Sequence, residues 1–364
     1  MKSYIQSRKE LTGIKAYTPG DSIEFIKEKY KLSSVIKLAS NENPLGSAIS
    51  LDQLSTAFST SYLYPDSNSH KLLETLGKKH NQQKENLILG NGSDEIFLLL
   101  ALAYLDKNSE VICPQHTFSV YESVTQLMGA SYTKVKMNDY NTDLSEILKA
   151  INSNTKLIFI ANPNNPTGTF INSLSLSEFL SKVPPDIIVV LDEAYKDYVV
   201  SEPLDSNVGL LARYKNVVIT RTFSKLYGLA GFRVGYGISS KEIVANLQKV
   251  RPPFNVNSLA LEAALLALDN TEFVQQSNII NQEGILHYKK ACKNWPVTML
   301  QTQANFVCLL LHNHCSQSAY DACIKKGIII RKLTSFGLDN AIRITIGSAD
   351  QNKHCINSLT EFFK

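Results

Sequence analysis

The alternation of apolar strands with helical segments between Val35 and Gly237 constrains the fold of this chain more than any other feature of its sequence. Short runs of aliphatic and β-branched residues recur there, for example at 156–161, 186–191 and 217–219, and segments with helical periodicity separate them. Nearly continuous apolar runs are typical of strands that are buried on both faces, as in parallel sheets. The pattern therefore predicts an α/β protein with a mainly parallel sheet wrapped by helices.

Length, charge and cysteine content narrow the class of protein. At 364 residues the chain exceeds the size at which one core usually keeps growing, so two domains are expected. The net charge of +4 is small and no basic run stands out, which gives no support for binding to nucleic acid or to a membrane surface. No stretch is apolar for long enough to cross a bilayer, and the N-terminus lacks an apolar signal segment, so we expect a cytoplasmic protein. The six cysteines form no C-x-x-C motif, and free thiols in a reducing compartment are the simplest explanation.

A lysine with hydroxyl neighbours follows the apolar run 217–219. Thr222, Ser224 and Lys225 come first, and Arg233 follows eight residues after the lysine, beyond two glycines. Lysine is rarely buried unpaired, and desolvation lowers its pKa, which makes a nucleophilic amine available for Schiff-base chemistry. Hydroxyls, an amine and a guanidinium held together would suit a phosphate. Taken alone, the pair Ser224-Lys225 would be interpreted as a solvated lysine in an ordinary turn, because lysine is mostly exposed.

Asp192 comes directly after the apolar run 186–191, so it is predicted to lie at the C-terminal end of an interior strand. Ligands bind at that end of the strands in open parallel sheets. A buried carboxylate needs a cationic partner, which a bound ligand could supply. Capping of a following helix explains an aspartate at this position equally well.

Two turns also follow predicted strands. In the first, Gly90-Asn91-Gly92 leads into an apolar helix, where backbone N–H groups can approach an anion, although Ser93 or Asp94 could simply be the N-cap. In the second, Asn162–Gly168 reads N-P-N-N-P-T-G after the run 156–161. So many rigid residues in one turn have no simple packing rationale.

Together these segments resemble the motifs of the pyridoxal phosphate (PLP) aminotransferases of fold type I. The string S-K-x-x-G-L-A-G-x-R-x-G-Y at 224–236 resembles their lysine motif, and most of all that of the histidinol-phosphate aminotransferase subfamily. The turn at 162–168 matches their N-P-T-G signature. The resemblance covers nearly the whole chain. It implies a seven-stranded sheet in a large PLP-binding domain at 31–270. It also implies a smaller α+β domain at 271–364, to which an N-terminal arm at 1–30 contributes.

The resemblance implies cofactor-binding roles for the matching residues. Lys225 would form the Schiff base with PLP and then move a proton at the substrate. The phosphate would be bound by Arg233, Ser224, Thr222 and the backbone N–H groups of Ser93 and Asp94. Asp192 would pair with the pyridinium N–H, and Phe118, rather than Tyr121, would stack on the ring. Asn165 and Tyr195 would hydrogen-bond the 3′ oxygen of the cofactor.

The resemblance also implies substrate and partner contacts. Arg331 and Arg343 would bind the anionic ends of substrates, although Arg343 alternates with isoleucines and could instead lie on a solvated strand face. Asn41, in the loop N-E-N-P-L-G, and Tyr17 would add polar contacts, and a plain turn is the alternative for that loop. Tyr64 would reach across a homodimer interface to the phosphate of the neighbouring subunit's cofactor.

The expected activity is transamination between a small-molecule amino donor and a 2-oxo acid. The subfamily resemblance points to histidinol phosphate and 2-oxoglutarate, in histidine biosynthesis. An aromatic amino-acid aminotransferase acting on phenylalanine or tyrosine is the main alternative, and a PLP-dependent phosphothreonine decarboxylase is a more distant one. A PLP-sensing regulator would need a DNA-binding module, for which the sequence leaves no room before Val35.

Overall fold

The computed structural model describes residues 7–11, 14 and 21–364, so the prediction for Tyr17 lies outside the described residues. Twelve α-helices and fifteen strands occur in the part of the chain that it describes. The helices are α1 (Ile23–Tyr30), α2 (Ser55–Ser59), α3 (His70–His80), α4 (Ser93–Tyr104), α5 (Val120–Leu127), α6 (Leu144–Ala150), α7 (Ser173–Leu180), α8 (Lys241–Val250), α9 (Ser258–Asp269), α10 (Thr271–Cys292), α11 (Ser316–Lys325) and α12 (Ala349–Phe362). The strands are β1 (Ile36–Lys37), β2 (Leu87–Gly90), β3 (Glu110–Pro114), β4 (Ser131–Val135), β5 (Met137–Asn138), β6 (Asn141–Thr142), β7 (Thr155–Ala161), β8 (Ile188–Asp192), β9 (Val217–Thr222), β10 (Gly235–Ile238), β11 (Val297–Met299), β12 (Phe306–Leu311), β13 (Ile328–Ile329), β14 (Arg331–Lys332) and β15 (Ala341–Thr345).

A seven-stranded sheet, in the order β2-β10-β9-β8-β7-β3-β4, forms the centre of the molecule. Only β10 runs antiparallel to its neighbours, and the remaining strand pairs are parallel. Successive residues of β7 point to opposite faces, so that Leu157 and Phe159 join one apolar cluster while Ile158 and Ile160 join another. Helices α4, α5 and α8 cover the face of Leu157 and Phe159. Helices α3, α7 and α9 cover the face of Ile158 and Ile160. The predicted fold class, a mainly parallel sheet wrapped by helices, is confirmed.

A second, four-stranded antiparallel sheet has the order β11-β12-β15-β14. Its apolar cluster contains residues from both parts of the chain, including Ile26 and Leu38 near the start and Leu359 near the end. Strand β1 pairs in parallel with β13 beside it. The domain limits 1–30, 31–270 and 271–364 stay a prediction.

The register of the central sheet brings three of the predicted motifs to one edge. Ala161, at the end of β7, pairs with Asp192, at the end of β8. Asp192 in turn lies opposite Thr220 of β9, a strand that ends at Thr222. The turn after β7, the segment after Asp192 and the lysine segment after β9 therefore leave the sheet side by side, as expected for a ligand site in a parallel sheet.

None of the helices in the described ranges combines the length and the apolar character that a bilayer-spanning helix requires. All six cysteines are unpaired, which confirms the expectation of free thiols.

Candidate active site

Twelve of the residues predicted from the sequence line one cavity of about 310 Å³. They are Asn41, Ser93, Asp94, Phe118, Asn165, Tyr195, Thr222, Ser224, Lys225, Arg233, Arg331 and Arg343. A larger cleft of about 880 Å³ contains none of them. The converging polar groups, and not the volume, therefore identify the candidate site.

The amine of Lys225 lies inside this cavity. Its Nζ donates a hydrogen bond to the backbone oxygen of Ser40 at 3.0 Å and lies 5.9 Å from the centre of the Tyr195 ring. No carboxylate within the described ranges forms an ion pair with it. The interpretation of Lys225 as a solvated turn residue is wrong, because the side chain is only partly exposed and faces the other polar groups.

Arg233 and the hydroxyl groups of Thr222 and Ser224 lie together in the wall of the cavity. Arg233 Nη1 donates to Ser224 Oγ at 3.3 Å, and Thr222 Oγ1 donates to the same oxygen at 2.9 Å. The N-cap of α4 is Gly92, so the expectation that Ser93 or Asp94 caps this helix is wrong. Because no side chain caps α4, its first N–H groups are available to an anion beside the guanidinium.

Asp192 is a buried carboxylate, with 5% of its surface exposed. Its oxygens accept hydrogen bonds from the Tyr121 hydroxyl, from the backbone N–H of Ala194 and from Thr220 Oγ1. All three donors are neutral, and burial raises the pKa of Asp192 to about 6, against the lowering effect of the Tyr121 hydrogen bond. A buried carboxylate with this donor set is suited to a cationic N–H group supplied by a ligand. The role of helix cap does not explain it, since a strand ends here and the turn after it forms no α-helix.

Asn41 connects the two sheets at the site. Its Nδ2 donates to the Tyr195 hydroxyl at 2.8 Å, and its backbone N–H donates to Thr345 Oγ1 at 2.9 Å. Asn305 Nδ2 donates to the backbone oxygen of Asn41 at 3.0 Å. The φ of Asn41 is 59°, in the left-handed region, which asparagine tolerates better than most residues. The loop is therefore not a plain turn.

Arg343 is buried, with 5% of its surface exposed, so its interpretation as a residue on a solvated strand face is wrong. Every residue of β15 is buried, because both faces of this strand are covered. Arg343 Nη2 donates to the backbone oxygen of Ala39 at 2.7 Å, Nη1 donates to Asn165 Oδ1, and Nε has no partner in the described structure. Arg331 lies opposite Arg343 on the neighbouring strand β14 and is only partly buried.

The model of the aminotransferase class I and II family matches residues 33–359. The chain belongs to this family. Histidinol-phosphate aminotransferase of Moorella thermoacetica is 42% identical over 356 residues, which are 97% of this chain and 92% of that protein. Histidinol-phosphate aminotransferase 1 of Mannheimia succiniciproducens is 38% identical over 352 residues, 96% of each chain. Among solved structures, histidinol-phosphate aminotransferase from Sinorhizobium meliloti in complex with pyridoxal-5'-phosphate has the same fold, with a TM-score of 0.90 at 22% identity over 100% of this chain and 98% of that one.

The family resemblance inferred from the motifs is confirmed, and the protein is an aminotransferase with PLP as its cofactor. The described residues fit this group at both of its charged ends. Asp192 accepts hydrogen bonds from three neutral donors, which suits a pyridinium N–H, and Arg233 with the start of α4 offers a cradle for a phosphate. The space between Gly92 and Arg233 is so narrow that a Cβ at Gly92 would lie 2.4 Å from Arg233 Nη2.

Replacement of Gly92 by alanine should weaken PLP binding to this aminotransferase. Gly92 has a φ of 77°, and the added Cβ must displace Arg233. We expect the dissociation constant to rise by about tenfold or more, since a hydrogen bond to a charged group, such as that of the Arg233 guanidinium to a phosphate, is worth about 1.5–3 kcal/mol. Titration of the apoprotein with PLP checks this. Gly209→Ala is the matched control, because its Cβ would meet no atom within 4 Å; equal affinities in the two variants would contradict the prediction.

Sequence reasoning missed Tyr121 as a partner of Asp192. The ring of Tyr121 is fully buried, stacks on Phe159 with centroids 4.6 Å apart and meets Phe118 edge to face, with centroids 5.7 Å apart. Phe118 remains in the cavity wall, which supports its predicted place against the cofactor ring. The spacing of Phe118 and Tyr121 marked both as aromatic candidates, but nothing local indicated that one hydroxyl would reach a strand about 70 residues further along.

Tyr121→Phe should shift the pH dependence of PLP binding. The lost hydrogen bond lowers the pKa of Asp192, so without it that pKa rises above about 6. Because the carboxylate form holds the pyridinium, PLP affinity falls as the pH drops through the pKa of Asp192, and this loss should begin at a higher pH in the variant. A hydrogen bond to a charged group is worth about 1.5–3 kcal/mol, which corresponds to about 1–2 pKa units, so the ionised fraction of Asp192 at neutral pH, and with it the PLP affinity, should fall about 2- to 10-fold. Binding titrations from pH 5 to 8 measure it, with Tyr104→Phe, whose hydroxyl contacts Asn246, as the control. Superimposable pH curves would contradict this role.

A buried ionic network beneath the site was also missed. Arg221, in β9, donates to Glu193 Oε2 through Nε at 2.9 Å and Nη2 at 2.7 Å, and to Asp205 Oδ1 at 2.8 Å. Asn207 Nδ2 donates to the other oxygen of Glu193 at 2.7 Å. The network fixes the residues that directly follow Asp192 and precede Thr222. An arginine inside the run V-V-I-T-R-T was the signal for it.

The structure does not bring Tyr64 into the cavity of its own chain. Its side chain is 82% exposed and stacks on Phe254 with ring centroids 4.6 Å apart. Its contact with a neighbouring subunit's cofactor stays a prediction.

Proposed function

We propose that this aminotransferase moves an amino group between glutamate and imidazole-acetol phosphate, giving histidinol phosphate and 2-oxoglutarate in histidine biosynthesis. The observation that carries the proposal is the pair Arg331 and Arg343, which face each other on β14 and β15 and line the cavity of Lys225. Both substrates bear anions that a guanidinium binds well. The relatives at 42% and 38% identity bear the name of the same activity.

In this proposal Lys225 is the catalytic residue. PLP, when bound, supplies an aldehyde that captures an amine and a ring that withdraws electrons from the substrate's Cα. Lys225 is the one lysine among the described residues that line the cavity, and we assign to its amine the transfer of a proton at that Cα. The hydrogen bond to Ser40 is its link to the loop that carries Asn41.

The remaining residues would bind and orient. Asp192 would hold the proton on the ring nitrogen, and Arg233 with Ser224, Thr222 and the first N–H groups of α4 would hold the phosphate. Asn165 keeps its Nδ2 as a donor while its Oδ1 is engaged by Arg343, and Tyr195 keeps its hydroxyl proton while its oxygen accepts from Asn41. Both donors are thus available to the 3′ oxygen of the cofactor.

We also propose a homodimer in which Tyr64 reaches the partner's cofactor phosphate. Its exposure and its stacking on Phe254 support this, because a large aromatic pair is seldom left in water without a partner surface. Phe58, Tyr62 and Leu63 are exposed in the same segment. The cytoplasm is the proposed compartment, in keeping with the six free thiols.

A half-reaction scan tests the substrate. Purified PLP-loaded protein is mixed separately with histidinol phosphate, glutamate, phenylalanine and tyrosine, and the absorbance of the bound cofactor is followed in time. Fast conversion with histidinol phosphate and glutamate is the expected result. Conversion with only the aromatic amino acids would make the protein an aromatic amino-acid aminotransferase. Release of carbon dioxide in a separate incubation with phosphothreonine would make it a decarboxylase.

A further inference from the structure

The carboxyl group of Glu42 is the one acidic group at the Arg331 and Arg343 end of the cavity within the described residues, and the proposed mechanism does not use it. Its Oε1 accepts a hydrogen bond from Lys37 Nζ at 2.6 Å. Its Oε2 is buried from solvent and has no hydrogen-bond partner, although the side chain as a whole is 39% exposed. A buried acceptor without a donor is costly in free energy, so this atom calls for an explanation.

A donor in the same cavity is unsatisfied too. Arg343 uses Nη1 and Nη2 for Asn165 and Ala39, but its Nε has no acceptor. Glu42 lies close enough for its charge to raise the pKa of this arginine, which burial otherwise lowers. The two unsatisfied atoms have complementary chemistry, yet they do not bond to each other. A ligand that carries both an anionic oxygen and an N–H group would satisfy both.

The substrates considered above differ in this respect. Histidinol phosphate combines a phosphate with an imidazole, which bears an N–H donor. Glutamate offers carboxylates and no donor in its side chain, and phenylalanine has neither a side-chain donor nor a second anion. A site built to hydrogen-bond an N–H group discriminates strongly against analogues that lack it, because its buried acceptor then stays unpaired.

We infer that Glu42 is a specificity-determining residue, whose Oε2 accepts a hydrogen bond from the side-chain N–H of a heteroaromatic, phosphate-bearing substrate. This inference rests on the proposed function. Lys37 holds Oε1, so Oε2 is the oxygen of this cavity-lining carboxylate that keeps its full capacity to accept a hydrogen bond. Glutamate has no side-chain donor for this oxygen, so Glu42 adds no hydrogen bond to the binding of glutamate.

Glu42→Gln is the decisive variant. Lys37 would retain the amide oxygen, so the NH₂ group would replace Oε2 and could not accept a hydrogen bond. In half-reactions we expect kcat/KM for histidinol phosphate to fall about 10- to 100-fold, with values for glutamate and phenylalanine changed less than about threefold. Glu42→Ala, which removes the acceptor entirely, should give the same selective loss. Unchanged PLP absorbance and thermal unfolding show that each variant is folded.

Two controls sharpen the test. Glu24→Gln makes the same chemical change on the exposed surface of α1 and should leave all three substrates unaffected. Lys37→Gln keeps Oε2 and should retain the preference for histidinol phosphate. The inference is overturned if Glu42→Gln lowers the activity with all three substrates equally or with none of them. It is also overturned if Lys37→Gln abolishes the preference for histidinol phosphate as completely as Glu42→Gln does. If the unaltered enzyme converts phenylalanine but not histidinol phosphate, the proposed function fails first, and the inference falls with it.

Discussion

Lys225→Ala should abolish transamination while leaving the protein folded. We expect kcat to fall by about 10⁴-fold, the upper end of what a positioned acid–base group contributes, because no other lysine in the described structure lines the cavity. Folding should survive, since the Lys225 amine forms one hydrogen bond, to Ser40 on a partly exposed loop, and packs in no apolar cluster. Single-turnover absorbance measurements with glutamate give the rate of the chemical step.

Lys182→Ala is the control for this prediction, because Lys182 is exposed and does not line the cavity. Its turnover should equal that of the unaltered enzyme. A small primary amine added to the Lys225→Ala protein should restore part of the rate, since it can supply the missing proton acceptor in the vacated space. Near-normal turnover of Lys225→Ala without added amine would refute the assignment of Lys225 as the catalytic residue.

The sequence was informative about the site wherever a polar residue directly follows an apolar run. Asp192 and the Lys225 segment were predicted because the runs before them had to be interior strands, and the sheet register places their ends side by side. Local periodicity determines which residues are buried and where a strand ends. In a parallel sheet these two facts are enough to locate the ligand edge.

Contacts between distant segments could not be predicted in this way. Asn41 and Thr345 are 304 residues apart in the chain and share two hydrogen bonds, and Arg343 is buried because Asn165 and Ala39 satisfy it from other elements. An alternating strand pattern indicates which residues share a face, but it does not reveal that a loop will cover the other face. For this reason Arg343 was open to interpretation as solvated.

The N-cap of α4 is a second feature that could not be predicted from the local sequence. Ser93 and Asp94 are good N-cap residues by type, and capping by one of them was the alternative interpretation of this turn. The cap is Gly92, whose φ of 77° is a conformation that residues with a Cβ rarely adopt, and a Cβ there would also meet Arg233. Side-chain preference was outweighed by the backbone conformation of this turn and by a contact with a residue 141 positions away in the sequence.

Arg221→Met should cause the largest loss of stability of any single change considered for this protein. Arg221 and Glu193 are 2% and 0% exposed at their side chains, and the arginine supplies two of the hydrogen bonds on Glu193. Without it, the carboxylate remains buried with Asn207 as its donor and with no cation in direct ion-pair contact among the described residues. Removing one partner of a buried ion pair costs about 3–5 kcal/mol in the free energy of unfolding, because the remaining charge is uncompensated. Urea unfolding of the PLP-loaded protein measures this loss as a lower transition midpoint.

The double variant Arg221→Met/Glu193→Gln separates the uncompensated charge from lost packing. If the buried charge is the cause, neutralising Glu193 in the Arg221→Met background should recover part of the lost stability, because an amide costs less to bury than an unpaired carboxylate. If the double variant is less stable than Arg221→Met by the full cost of a second core substitution, lost packing is the cause instead. Arg213→Met, at an exposed position, should change the free energy of unfolding by no more than about 0.5 kcal/mol. Glu193 directly follows Asp192, and Arg221 directly precedes Thr222, so this network also positions two cofactor-binding residues. Arg221→Met should therefore weaken PLP binding as well as lower the free energy of unfolding.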